Sequence, residues 1–490
     1  MLRTIQRTIL HRPRPDTIPP LIWPDRREPA FGRHQSRPLR LTFDTASFSQ
    51  LTTVQQSALN VLREFRFLDL IDALDTAPEY TPHVTFGDPV ADGNIPLTVS
   101  HAGKVIQWSS LAGYQHRQLK SWAPGLARQA DPTHPDAQQA LATLMVLEAH
   151  MRLGRDILIT ESQWPFDPRV TGVSKRGNPR RILDAAKIVG LFLRSRDSYV
   201  YRVEKPGFTE RLDRGGFYWA LTRYQTPNMW RYVSACVLAE DVRKDSTQAL
   251  GLSILMRCDR AVQARDRIGE AFYGAHGGGS RDEMMYHFDY LALLLAGALD
   301  SQARVAHRAY TFRGSERRAM FRDTRGSAFL KSIRLAEPAL HAVVTATHSQ
   351  ALLTLLYEVR NTIHAASLRD LGARVPSDDS AWEIEVRDDE LAGLLRNAAG
   401  SIGSLDEWGM SVERYTEDND PLARELLLLE PYTFADTLLR RCLNLINEIA
   451  AVSNVELLLK GHTVPALLTG PPPDDSMFSA KLGERLALLG

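Results

Sequence analysis

Apolar residues recur at alternating three- and four-residue steps through Tyr218–Val242, Gln248–Phe272, Glu283–Tyr310, His348–Leu368, Asp389–Ala399 and Thr433–Leu459. A period near 3.6 gathers such residues on one helix face, and a face of that kind has to be buried against another element. Several of these segments are long enough for a bundle, so residues 215–460 are predicted to form one large α-helical unit. No fixed-length repeat runs through them, which disfavours a solenoid.

The chain before residue 205 has a different texture. Leu41–Asp44 reads as a short strand, and Val54–Leu74 as the helix that follows it. His83–Phe86, Leu97–Ser100 and Val105–Trp108, punctuated by Asp92-Gly93-Asn94 and Gly103, read as a small β-meander. A helix over Ala137–Leu153 then leads through Gly154 into the apolar run Asp156–Thr160, and Ile182–Leu193 reads as another helix. Strands alternating with helices imply an α/β domain over 41–210. The first 40 residues hold nine arginines and seven prolines and read as an extended arm. Residues 375–390 read as an acidic insertion with a solvated face, and 461–490 as a C-terminal tail. The expected fold class is therefore α+β and multidomain, predominantly α-helical, in keeping with 490 residues being too many for one core.

Charge narrows the partners. Lys and Arg total 59 against 58 Asp and Glu, a formal net charge of +1, so a nucleic acid would have to be held by a local basic patch and not by a global field. Cys236, Cys258 and Cys442 are too few and too scattered for a disulfide framework or a structural zinc site, which fits a reducing compartment. The Arg-rich start carries no apolar run of secretory length, and no stretch approaches the roughly 18 apolar residues of a membrane span. The expected location is cytoplasmic, without a membrane partner.

The segment Leu352–Leu368 holds the chemistry of greatest interest. Leu352, Leu355, Leu356, Val359 and Ile363 form an apolar stripe, and Arg360 and His364 border it one position further on. Four residues apart on a helix they are neighbours, with Asn361 beside them. A guanidinium next to an imidazole disfavours the charged ring, and a neutral imidazole can accept a proton. An arginine fork suits a phosphate, so Arg360, Asn361 and His364 together supply a clamp, an orienting amide and a base for phosphodiester cleavage. The plainer alternative is that Arg360 pairs with an acid such as Glu358 and the helix is architectural.

Tyr357-Glu-Val-Arg360-Asn361-Thr-Ile-His364 resembles the Arg-Asn…His signature of HEPN domains, helical bundles of many bacterial toxin and defence ribonucleases. Here three residues separate the arginine from the histidine, against four to six in that family. Arg265-Asp266 on one long helix, and Tyr286-His287-Phe-Asp289-Tyr-Leu with Gly297-Ala298-Leu-Asp300 on the next, extend the resemblance to about residues 245–460. It implies a metal-independent ribonuclease without a cofactor, in which a 2′-hydroxyl attacks the adjacent phosphate at a site assembled across a homodimer. RNA is the implied substrate, and an antitoxin or defence component the implied protein partner. Many such domains are instead non-catalytic dimerisation or interaction scaffolds. His287 and Asp300, on one predicted helix, are expected to satisfy bundle neighbours and not a metal.

A second resemblance concerns the earlier domain. An acid ending the first strand, a helix bearing an acid, and an apolar strand followed by Thr160-Glu161 look like parts of a PIN-like nuclease. Asp44, Glu148 and Glu161 would be its metal ligands, with Asp69 or Asp72 a fourth, and Mg²⁺ would be the ion that takes such oxygen ligands and activates water. Lys175, Arg176, Arg180 and Arg181, in a loop rich in turn formers, are candidates for contact with phosphates.

Overall fold

The computed structural model describes residues 38–64, 68–73, 82–129, 131–167, 170, 178–197, 199, 201–205, 208–211, 213–243, 245–273, 278–323, 327–364, 371–374, 383–417, 420–462 and 480–490. The chain divides into two compact units, one running to residue 198 and taking in 488–490, the other covering 199–487. Helix dominates the described residues, with sheets in both units.

The first unit is built on a seven-stranded mixed sheet. Its strands are β1 (Leu39–Asp44), β2 (Leu68–Ala73), β3 (His83–Phe86), β4 (Ile95–His101), β5 (Lys104–Leu111), β6 (Ile157–Ile159) and β7 (Pro179–Arg180). They lie in the order β5-β4-β3-β2-β1-β6-β7. The run β3-β2-β1-β6-β7 is parallel, whereas β4 and β5 are added as an antiparallel meander. Every residue of β1 is buried, as expected of a central parallel strand covered on both faces. The helices are α1 (Thr53–Glu64), α2 (Gly113–Ala127), α3 (Pro135–Arg152) and α4 (Ile182–Ser195). Leu119, Ala123, Leu144 and Leu147 of α2 and α3 pack into one core with Val84, Ile95 and Val99 of the sheet.

Chain order places β1 at a topological switch: the chain leaves it for β2 and β3 on one side and later returns to β6 and β7 on the other. Ligands of open α/β sheets bind beyond the carboxyl ends of strands at such a point. The predicted helix over Val54–Leu74 requires correction. α1 ends at Glu64, and Leu68–Ala73 is strand β2, whose Leu-Asp-Leu-Ile sequence pairs in parallel with β1.

The second unit begins with a hairpin of β8 (Tyr201–Lys205) and β9 (Phe208–Arg211). Helices α5 (Arg214–Gln225), α6 (Met229–Arg243), α7 (Thr247–Tyr273) and α8 (Gly278–Ala309) follow, then α9 (Ala328–Ala336), α10 (Pro338–Thr345) and α11 (Thr347–His364). The long antiparallel pair is α7, 27 residues, and α8, 32 residues. Both pack on α13 (Pro431–Val452), whose amphipathic stripe runs through Leu438, Cys442, Leu445 and Ile449, all buried. α12 (Asp389–Gly400) and a C-terminal helix α14 (Ala480–Leu489) complete the set.

Two expectations fail in this unit. The single helix expected over Tyr218–Val242 is two, because Pro227 cannot continue a helix and separates α5 from α6. The region is also not wholly helical. β10 (Leu371–Arg374), β11 (Glu383–Val386), β12 (Met410–Glu417) and β13 (Asp420–Leu429) form an antiparallel sheet in the order β10-β11-β13-β12. The acidic insertion is thus partly strand: Ile384 and Val386 are buried, and Glu383 and Glu385 alternate with them. Residues 375–382 lie outside the described residues.

At the heart of the bundle Arg265 is 2% exposed and bridges Asp266 at 2.9 Å and Asp436 of α13 at 2.8 Å. Tyr218 of α5 donates to Asp266 at 2.9 Å. Removing one member of such a buried set strands the others, at about 3–5 kcal/mol. Among the described residues no single helix is long and apolar enough to cross a membrane, although the bent pair Pro338–Thr345 and Thr347–Ile363 meets that test by length and composition.

Candidate functional site

Leu352, Leu353, Leu355, Leu356 and Val359 of α11 are buried. Their burial fixes the rotation of the helix and leaves Arg360 and Asn361 half-buried at the edge of that face. His364 is the last residue of α11, and its side chain lies outside the described residues. Glu358, the acid nearest Arg360 in sequence, is engaged by Arg322 of the loop before α9. Among the described residues Arg360 therefore keeps no acid partner.

Arg360 instead lines a cleft of about 250 Å³. α7 contributes Arg257 to its wall, and α8 contributes Leu293, Gly297, Asp300 and Arg304. The Arg257 guanidinium lies against the α8 backbone at Gly297, where a Cβ would fall 2.0 Å from its Nη1. Only glycine permits that approach. Arg257 Nε donates to Ser253 Oγ one turn earlier at 3.1 Å, which aims the fork. Arg304 Nε is buried with no hydrogen-bond partner among the described residues, and a buried donor without an acceptor costs about 1–3 kcal/mol. An anionic oxygen is the kind of acceptor that relieves it.

Asp300 is the single acid among the described residues that line the cleft, and its Oδ1 accepts a hydrogen bond from Tyr357 Oη of α11. Burial, reinforced by that carboxylate, pushes the Tyr357 hydroxyl far above its ordinary value, so it remains a donor. Asp300 thus satisfies a bundle neighbour, as expected from sequence. Among the described residues that line the cleft, three guanidiniums accompany one carboxylate, whose Oδ1 is bonded to Tyr357, and the balance of their charges is positive. Planar forks of this type bind phosphate and carboxylate oxygens bidentately. Sequence reasoning found Arg360 but missed Arg257 and Arg304. The one cue to Arg304 is its place four residues after Asp300 and seven after Gly297, on the same helix face.

The acids of the first unit are placed differently. Asp44 ends β1 at the switch point and is 2% exposed. Thr160 Oγ1 donates to its Oδ2 at 2.8 Å, and burial raises its carboxyl although that bond and Ser47 pull it down. Glu161 follows β6 and accepts from the backbone N–H of Ile182 at 2.8 Å, capping α4, with Arg181 Nη1 3.7 Å away. Glu148 lies within α3, bonded to Arg152 at 3.1 Å and to Gln115 at 3.1 Å. Among the described residues no group of three or more His, Cys, Asp or Glu is placed to hold a metal, and the side chains of Asp69 and Asp72 lie outside the described residues.

Of the basic loop, Lys175 and Arg176 lie outside the described residues. Arg180 donates to Asn178 Oδ1 at 3.0 Å, and Arg181 stacks 4.2 Å over the Phe166 ring while facing Glu161. Both are engaged within their own unit. The three cysteines are buried and free, and burial pushes the Cys236 and Cys258 thiols up to about 12, which removes them as nucleophiles. No protein-family model, no curated protein and no solved structure matches the chain.

Proposed function

We propose that this chain binds RNA and cleaves it without a metal, as a HEPN-like ribonuclease of toxin or defence type, with Arg360, Asn361 and His364 as its reacting group. The observation that carries this reading is the cleft in which Arg360 is joined by Arg257 and Arg304, opposite a carboxylate already bonded to Tyr357. A phosphodiester brings to such a cleft the oxygens that three forks can hold.

In the proposed step His364 takes the proton of a ribose 2′-hydroxyl as its oxygen bonds to the adjacent phosphorus. The bond from phosphorus to the 5′ oxygen breaks, and the imidazolium returns that proton to the departing oxygen, directly or through water. The products are a 2′,3′-cyclic phosphate and a 5′-hydroxyl. Arg360 and its neighbours offset charge building on the non-bridging oxygens, and Asn361 orients the reacting nucleotide. A homodimer and a protein partner such as an antitoxin belong to the same proposal.

Incubating the full chain with single-stranded RNA in EDTA tests it. Cleavage is expected, with His364→Ala reducing the rate by about 10²- to 10⁴-fold at unchanged folding. Undiminished cleavage by that variant would contradict the mechanism. Cleavage that instead required Mg²⁺ and vanished in Asp44→Asn would move the chemistry to a PIN-like first unit. Binding that depends on Arg360 without any cleavage would leave a non-catalytic scaffold.

A further inference from the structure

Tyr286, Tyr290, Leu293, Gly297, Asp300 and Arg304 follow one another along α8 at alternating four- and three-residue steps. That spacing keeps all six on one face. The last four line the arginine cleft, so the same face continues out of the cleft toward the N-terminus of α8 as a pair of tyrosines. Their rings stack, with centroids 6.2 Å apart and planes 16° apart. Tyr286 is 64% exposed, and neither hydroxyl has a hydrogen-bond partner among the described residues. At a rise of about 1.5 Å per residue, Tyr290 stands roughly 15 Å along the helix from Asp300.

We propose that this aromatic face is the base-stacking track of the site, and that the substrate is single-stranded RNA whose backbone enters the arginine cleft while neighbouring bases lie on Tyr290 and Tyr286. This rests on the RNA reading above and specifies its substrate class. A cationic groove that runs into flat rings, here a half-buried Tyr290 and an exposed Tyr286, is the combination that holds single strands, because phosphates meet the cations and every base offers a π-face. Duplex RNA keeps its bases stacked inside and presents none to a tyrosine. A second copy of the chain seated on the tyrosines would find use for the rings but none for the three guanidiniums that line the cleft at the end of that face without an acid partner among the described residues.

The test uses the full chain and 2′-O-methyl oligonucleotides of about ten residues, which span such a site and cannot be cleaved through the 2′ position. Three probes are compared: a single strand, an abasic strand of equal charge, and a duplex. The single strand should bind most tightly, and Tyr286→Leu or Tyr290→Leu should weaken it by about tenfold each. The same variants should leave the abasic strand unchanged, and Tyr→Phe should retain affinity. Equal loss for abasic and base-bearing strands, or no loss for either while Arg360→Ala still weakens binding, overturns the track and leaves the RNA reading standing. Failure of the unaltered chain to bind any probe overturns the RNA reading itself. Should the leucine variants change the oligomeric state in light scattering without changing affinity, the face belongs to a second copy and the track is wrong.

Discussion

At Asp289, burial works against the charge the side chain would carry in water and pushes its carboxyl up to about 6. An unfolded aspartate titrates near 4. The folded state therefore favours the protonated form, so the contribution of Asp289 to stability is full below about pH 4 and is lost as pH rises through 6. Asp289→Asn should accordingly raise the thermal midpoint at pH 7 and change it little at pH 4, read by thermal melts at the two pH values. Equal shifts at both would contradict the assignment. The same scale shows what a sequence can carry. Arg360, Asn361 and His364 stand within one turn of one helix, and helical spacing alone makes them neighbours. Arg257 and Arg304 come from two other helices, and apart from the register of Arg304 with Gly297 and Asp300 nothing local separates them from the many other arginines of the chain. That Arg322 and not Arg360 takes Glu358 is a tertiary fact of the same kind.

Between elements, one glycine decides how α7 meets α8. Gly297 sits mid-helix, where alanine is preferred by about 1 kcal/mol, yet a Cβ there would strike Arg257 Nη1. The struck atom ends a flexible side chain, so the helix gains while the fork is displaced. Gly297→Ala should leave the melting temperature unchanged or raised and weaken RNA binding by about tenfold, the worth of a charged hydrogen bond. Lost stability with intact binding would show that Arg257 packs and does not clamp. The long helices were legible because their stripes are long. Several strands were not, and two of them show why. Leu68–Ala73 continues an apolar pattern from α1 that suits a helix until β1 offers a parallel partner. Strand β13 contains Leu-Ala-Arg-Glu-Leu-Leu-Leu-Leu, residues that favour helices in isolation, and pairing with β11 and β12 overrides that preference.

Across the whole molecule the net charge of +1 supplies no long-range attraction for a polyanion. Affinity for RNA would then have to come from a few local contacts, and the cleft of Arg257, Arg304 and Arg360 concentrates three cations among helices that span more than a hundred residues of sequence. The sequence ruled out the global field but could not reveal this local one, because its members converge only when α7, α8 and α11 pack together. Salt titration of RNA affinity measures the effect directly. For single strands the slope of log K against log salt changes by about 0.7 for each phosphate neutralised. With a 2′-O-methyl single strand, Arg304→Ala should weaken binding at low salt and make that slope shallower by about 0.7. An unchanged slope and affinity in that variant would contradict a phosphate held in the arginine cleft.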